Sequence, residues 1–239
     1  MIKSEEDCAN VLAIIMKNYE KLKHIFVYLS SKSSYPALTQ MDYAAFVLKS
    51  KINDKNVNLA AVDRVFIATN VTPRGAPEVP GNPGNALCRF QFMEAVVRLG
   101  NEKYKSPGLV KTFAEGTQRV LDECIFKYYE PEPWQSWREE ELWSLDVDDL
   151  YGSNVENLQA IYKTYFTQIK KYMDLKDCYQ MCMEDCDLGI KENDICLCFG
   201  MSKMTVKDEC YPVGTNYVTL KFVEFLEFIG RLSALKYKN

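Results

Sequence analysis

The residue types best suited to chemistry gather in one stretch, "DCYQMCMEDCDLGIKENDICLC", from Asp177 to Cys198. Cys178, Cys182 and Cys186 recur every four residues, and Cys196 and Cys198 follow. Thiolates are soft ligands, so the chemistry to consider is zinc or iron–sulfur binding. The spacing argues against it. Three thiols four apart on one helical face span roughly 12 Å at 1.5 Å per residue, too far for one zinc ion. The cysteines therefore read as small buried apolar residues on a core-facing helix. His24 is the only histidine, which excludes the common His-ligated metal centres, and no nucleophile signature surrounds any cysteine. "DVDDLYGSNVEN" (146–157) reads as a solvated turn with caps, and "REEEL" (138–142) as a solvated helix face. No paired-carboxylate or Ser-His-Asp pattern can be assembled, so the chain is not expected to be an enzyme or to carry a cofactor or metal.

A different kind of chemistry is recognition by aromatic anchors. Trp134, Trp137 and Trp143 are the three tryptophans of the chain and fall within ten residues. Tryptophan is enriched at binding hot spots, which makes these the partner-binding candidates. The alternative is that they plug their own segment onto a neighbouring helical groove. Both readings require helices that leave an apolar groove.

Those helices can be read from a repeat. "FQFMEAVVRLGNEKY" (90–104) and "VEFLEFIGRLSALKY" (223–237) align without a gap, 133 residues apart, sharing Phe, Glu, Arg, Leu, Lys and Tyr. Chance gives about one identity in such a window. Phe92, Ala95, Val96 and Leu99, and likewise Phe225, Phe228, Ile229 and Leu232, follow an i, i+3, i+4, i+7 pattern that predicts one buried stripe per helix. The similarity extends backwards. "LKHIFVYLSSKSSYPALTQMD" (22–42) resembles "LQAIYKTYFTQIKKYMDLKD" (158–177), and "VDRVFIATN" (62–70) overlies "ICLCFGMSK" (195–203). Each half, roughly 18–104 and 154–237, reads as helix, short loop, helix, helix, long loop, helix. Between them Ser106 and Pro107 predict a helix start, Pro131 and Pro133 a break, and "SWREEELWSL" a short helix. "PRGAPEVPGNPGN" (73–85) predicts loop.

Bulk properties set limits. The chain has 239 residues, with 47% hydrophobic and 26% charged, enough for one large domain or two small ones. A net charge of -4 and the lack of a basic run argue against nucleic acid as a partner. The apolar runs at 11–16 and 25–29 are too short to span a bilayer, so no membrane association is expected. The acidic amino terminus is unlike a signal peptide. The nine cysteines are expected as reduced thiols and the sequon at Asn70 as unglycosylated, in a cytoplasmic protein.

Two pairs of helix–loop–helix units, each loop ending in an apolar residue and then an acid, resemble the EF-hand superfamily of calmodulin-like proteins. The resemblance places Leu38, Phe90, Met173 and Val223 at the loop position that pairs with the neighbouring loop. It places Asp42, Glu94, Asp177 and Glu227 at position 12, where a bidentate carboxylate would hold calcium. The loops depart from the calcium pattern. Ser31, Ser33 and Tyr35 stand where acids belong in the first, and Phe166 and Lys170 in the third; the second and fourth run 25 residues, from Asn70 and from Lys203. The four acids are accordingly expected to be vestigial helix-start residues favoured by the helix dipole, with no metal bound.

The expanded even-numbered loops, the repeated helix end and "WREEELW" are similar to EF-hand-like axonemal proteins of ciliates and flagellates. The resemblance implies an all-α fold of two EF-hand-like lobes, 1–104 and 154–239, joined by a helical Trp-rich linker over 105–153. It implies a calcium-independent structural or scaffolding role in the cilium, with tubulin or axonemal proteins as partners on doublet microtubules of the cytoskeleton. The alternative is a calcium sensor of the calmodulin type that retains one atypical site.

Overall fold

The computed structural model describes residues 2–71, 84–131, 134–204 and 215–237. It is all-α apart from one pair of two-residue strands among the described residues. No helix among those residues is long and apolar enough to cross a membrane. The chain divides into two units, the first comprising Met1–Ser30 with Ala37–Pro131 and the second Ser31–Pro36 with Glu132–Asn239.

In the first unit, α1 (Glu5–Lys17), α2 (Tyr19–Ser30), α3 (Gln40–Lys49), α4 (Leu59–Asn70) and α5 (Arg89–Gly100) precede a π-helical turn at Asn101–Lys105. α6 (Phe113–Val120), a second π turn (Leu121–Ile125) and α7 (Phe126–Tyr128) complete it. The periodic positions of α5 do face inward. Phe92, Ala95, Val96 and Leu99 are fully buried, with the Phe92 ring 5.7 Å from Phe26 and 5.4 Å from Phe46. Burying side chains of this size stabilises by about 1.5–3 kcal/mol each.

α6 begins six residues later than Ser106 and Pro107 suggest. Its N-cap is Thr112, which forms a reciprocal capping box with Glu115; the Thr-x-x-Glu spacing was visible in the sequence. Ser106 instead closes the π turn after α5, its N–H bonding to the Asn101 carbonyl at 2.8 Å. Asp7 of α1 supplies a second cap, its carboxylate accepting from the N–H groups of Phe113 and Ala114 at 2.9 Å each. α5 and α6 approach where two glycines meet. A Cβ on Gly100 would stand 2.6 Å from the Gly116 carbonyl oxygen, so the crossing excludes any side chain there.

The second unit contains α8 (Gln135–Trp137), a π turn (Arg138–Leu142), α9 (Leu145–Thr164), β1 (Met173–Asp174) and α10 (Leu175–Tyr179) with its π continuation Gln180–Asp185. Then come α11 (Glu192–Ser202), α12 (Thr215–Val218), β2 (Thr219–Leu220) and α13 (Phe222–Tyr237). Phe199, Phe225 and Phe228 are fully buried in its core, and Tyr35 lies edge-on to Phe199 at 5.8 Å.

The acidic stretch 146–157 is not a turn: it is the first half of α9, capped by the Ser144 hydroxyl. Asp146 and Asp148 sit in its first turn, where the dipole favours them. The segment expected as a linker, 105–153, is divided, its part up to Pro131 belonging to the first unit and the rest to the second. α9 runs without a break across the expected boundary at 153–154. Most of the Pro- and Gly-rich segment 73–85 lies outside the described residues.

Candidate functional site

Each unit contains one short antiparallel pairing between loop segments. Leu38 bridges Leu87 in the first, with N–H to carbonyl distances of 2.9 and 2.8 Å. In the second, Met173 pairs with Leu220 and Asp174 with Thr219. All four apolar residues are fully buried. The partners of Leu38 and Met173 therefore stand three residues before Phe90 and Val223, the residues the sequence register selected. Phe90 and Val223 are exposed.

That shift moves the polar residue that closes each long loop. The helices start at Arg89 and Phe222, so the third residues of their first turns, available to the loop, are Gln91 and Glu224, not Glu94 and Glu227. Gln91 accepts from the Cys88 N–H at 2.8 Å and donates to the Thr69 carbonyl at 3.4 Å. Glu224 accepts from the N–H groups of Lys221 (2.8 Å) and Met204 (2.9 Å). In the short loops the closing acids are Asp42 and Asp177, both in first helical turns. Asp42 and Thr39 bond reciprocally, at 2.8 and 3.1 Å, and so do Asp177 and Asp174, at 2.7 and 3.1 Å.

In three of the four loops a side chain of the chain itself bonds between the described loop ends. In the fourth, the Lys203 ammonium donates to the Thr219 carbonyl and to the Glu224 carboxylate, the latter at 2.6 Å. Both charged side chains are 2% exposed. Burial pushes the Lys203 ammonium below the ordinary lysine range, while Glu224 acts to hold it up. In the third, Lys170 bridges Asp174, at 2.9 Å, and Asp177. Burial alone would raise the Asp174 carboxyl, but the bonds from Lys170 and from the Asp177 N–H hold it below its usual value. In the second loop the Asn70 amide donates to the Ala86 carbonyl at 2.7 Å. Asn70 and Lys203 occupy equivalent places, each ending the helix before a long loop and each donating to the carbonyl just before the pairing residue.

Glu94 and Glu227 lie in the second turns of α5 and α13, seven residues after Leu87 and Leu220. Glu94 pairs with Arg98 at 2.6 Å on the surface. Glu227 is buried and accepts from Arg231 and, through both carboxylate oxygens, from Arg138 Nε at 2.9 Å. The two guanidiniums organise two of the tryptophans. Arg231 lies over the Trp137 ring at 4.2 Å and donates to the Trp134 carbonyl, and Arg138 lies 5.2 Å from the Trp134 ring. Trp137 and Leu142 meet α13 at Gly230, where an added Cβ would stand 3.0 Å from Leu142. Tyr151 of α9 donates to the Leu226 carbonyl at 2.8 Å.

Trp143 departs from its two neighbours, being 62% exposed. It lines a cleft of about 660 Å³ together with Leu142, Leu145, Met204, Val223 and Leu226. Arg138, Asp148 and Glu227 also form part of its lining.

Cys178 and Cys182 are buried, as are Cys196 and Cys198. Burial raises the Cys178 thiol well above its usual value and Cys182 to about 12, which leaves both protonated and inert near neutrality. Cys186 does not share their face. The π turn at Gln180–Asp185 breaks the four-residue register and the helix ends at Cys186, leaving it exposed. Among the described residues, no cluster of three or more His, Cys, Asp or Glu side chains is arranged to hold a metal ion. Comparison with protein-family models, with characterised proteins and with solved structures finds nothing that matches this chain.

Proposed function

We propose that the chain is an EF-hand-like protein whose loops hold their own side chains in place of calcium, and that its work is calcium-independent protein binding. The observation that carries this reading is the Lys203 ammonium. With Leu220 as the pairing residue at loop position 8, Thr219 takes position 7 and Glu224 position 12, the carbonyl and carboxylate that would ligate calcium. Lys203 bonds to both.

The other loops support the same reading. Lys170, at position 5 of the third loop, neutralises Asp177 at position 12. The second loop has the neutral Gln91 at position 12. In the first, Asp42 is engaged by Thr39, and Tyr35 takes position 5. Calcium needs six to eight oxygen ligands, and an internal ammonium repels it.

Calorimetric titration is expected to detect no calcium binding tighter than about millimolar, the weak end of EF-hand affinities. A micromolar site with a conformational change would promote the calcium-sensor alternative instead. A structural role on axonemal doublet microtubules is supported by the sequence resemblance to protist axonemal proteins. Co-fractionation with salt-washed axonemal microtubules tests that role, and release into the wash would count against it.

A further inference from the structure

The segment "FKYYEP" (126–131) ends the first unit and builds a cavity there. Pro131 disfavours helix at Glu130, and the chain leaves α7 at Tyr129 in an extended conformation. Phe126, Tyr128 and Tyr129 thereby join Lys21, His24 and Ile25 of α2 around a space of about 440 Å³. Ile25 and Tyr129 are buried, whereas Lys21, Lys127 and Tyr128 are exposed. The cations at this site are held by rings rather than by acids. Lys21 lies 5.2 Å from the Phe126 ring and Lys127 5.2 Å from Tyr128. Two lysines outside the lining reach the same rings, Lys51 at 4.4 Å from Tyr128 and Lys49 at 4.9 Å from Tyr129. Among the described residues, none of these four ammoniums forms an ion pair. Glu130 is the carboxylate of the lining, so its two lysines leave the cavity net positive even with His24 neutral. The chain as a whole has a net charge of -4, which makes this patch of opposite sign stand out.

We propose that this cavity binds a small anion that joins an aromatic ring to a phosphate monoester, the chemistry of a mononucleotide. Its volume falls in the range of small-molecule sites and exceeds what a bare phosphate fills. The ring of the ligand buries apolar surface against the aromatic and isoleucine wall, and the phosphate meets the ammoniums of Lys21 and Lys127. A lysine ammonium binds phosphate as a point charge, and one already lying over a ring has no carboxylate to give up first. A phosphate monoester carries about -1.5 to -2 charges near neutral pH, which answers two lysines better than a single carboxylate does. Glu130 opposes the same charge and weakens the site.

The test is calorimetric titration of the full chain with adenosine 5′-monophosphate, adenosine, inorganic phosphate and phosphotyrosine at one fixed salt concentration. The monophosphate is expected to bind at least about tenfold tighter than adenosine or phosphate, because it engages the wall and the ammoniums together. Lys21→Gln and Lys127→Gln, both surface changes, should each weaken the monophosphate about tenfold and leave adenosine unchanged. Circular dichroism confirms that these variants keep their helices. Glu130→Gln should tighten the monophosphate about threefold. Lys163→Gln, an exposed change on α9, should have no effect and so separates the cavity from general charge attraction. No binding of the monophosphate, equal binding of inorganic phosphate, or indifference to both lysine changes would overturn the proposal. Phosphotyrosine binding more tightly than the monophosphate would overturn the mononucleotide assignment.

Discussion

Glu94–Arg98 and Glu227–Arg231 are the same ion pair written twice, four residues apart on equivalent helices. Their surroundings make them different objects. The Glu94 side chain is 41% exposed and meets one arginine. The Glu227 side chain is 7% exposed and meets two, because the π turn at Arg138–Leu142 brings Arg138 against it. An exposed pair of this kind contributes about 0–1 kcal/mol, whereas removing one partner of a buried pair costs about 3–5 kcal/mol. A duplicated sequence thus acquires a structural role in one copy through what a neighbouring segment adds.

The loops repeat the lesson. Asn70 and Lys203 hold equivalent positions and donate to equivalent carbonyls, but the second loop is closed by the neutral Gln91, whereas Lys203 also bonds to a buried Glu224. The second loop is held by amides and the fourth by charges. Their responses to mutation and to pH should differ accordingly.

The largest effect is expected at Lys203. Lys203→Met leaves the Glu224 carboxylate buried without its cation and should cost about 3–5 kcal/mol. Asn70→Ala removes a neutral hydrogen bond and should cost about 1–3 kcal/mol. Chemical denaturation of the two variants decides the matter, and equal losses would break the contrast between the loops. Adding Glu224→Leu to Lys203→Met should recover much of the loss, since an apolar pair needs no partner.

Next comes the repeated ion pair. Glu227→Gln should destabilise by about 3 kcal/mol and Glu94→Gln by under about 1 kcal/mol. If both changes are neutral, Arg138 contributes nothing to the second copy. A smaller effect tests the cysteine segment. Cys182→Ala should cost on the order of 1 kcal/mol through lost packing, while Cys186→Ala, on the surface, should cost less than half of that. Chelators should leave the melting temperature of the parent protein unchanged, and a zinc ion in elemental analysis would sink the packing account.

The response to pH is expected to be the most gradual. Asp174 has its folded-state pKa depressed, so its contribution is full above the ordinary aspartate range and is lost as pH falls below it through the folded value. Cys182 has its folded-state pKa raised to about 12, so stability falls as pH rises from the ordinary thiol range through that value. Lys170→Met should reduce the acid-side loss attributable to Asp174, leaving the part due to the Asp177 N–H. An acid limb that survives unchanged in this variant would show that other carboxylates dominate it.

What the sequence determined alone is local. The i, i+3, i+4, i+7 stripes specified α5 and α13 and their buried faces, because helical periodicity is set by backbone geometry and apolar burial. The equivalence of residues 133 apart followed from side-chain identity. The EF-hand resemblance pointed to Leu38 and Met173 as pairing residues, and both do pair, because the short loops have no insertion to displace the count.

The tertiary structure decided the rest. Leu87 and Leu220, rather than Phe90 and Val223, complete the pairing, since an inserted loop erases the count from its first residue to its last. The N-cap at Thr112, the helical course of 145–157 and the escape of Cys186 depend on caps and a π turn that compete with plain periodicity. Nothing in the spacing of Arg138 and Glu227, or of Lys203 and Glu224, announces a buried ion pair. Such pairs join residues remote in the chain, and only packing supplies the low dielectric in which one partner's charge requires the other's.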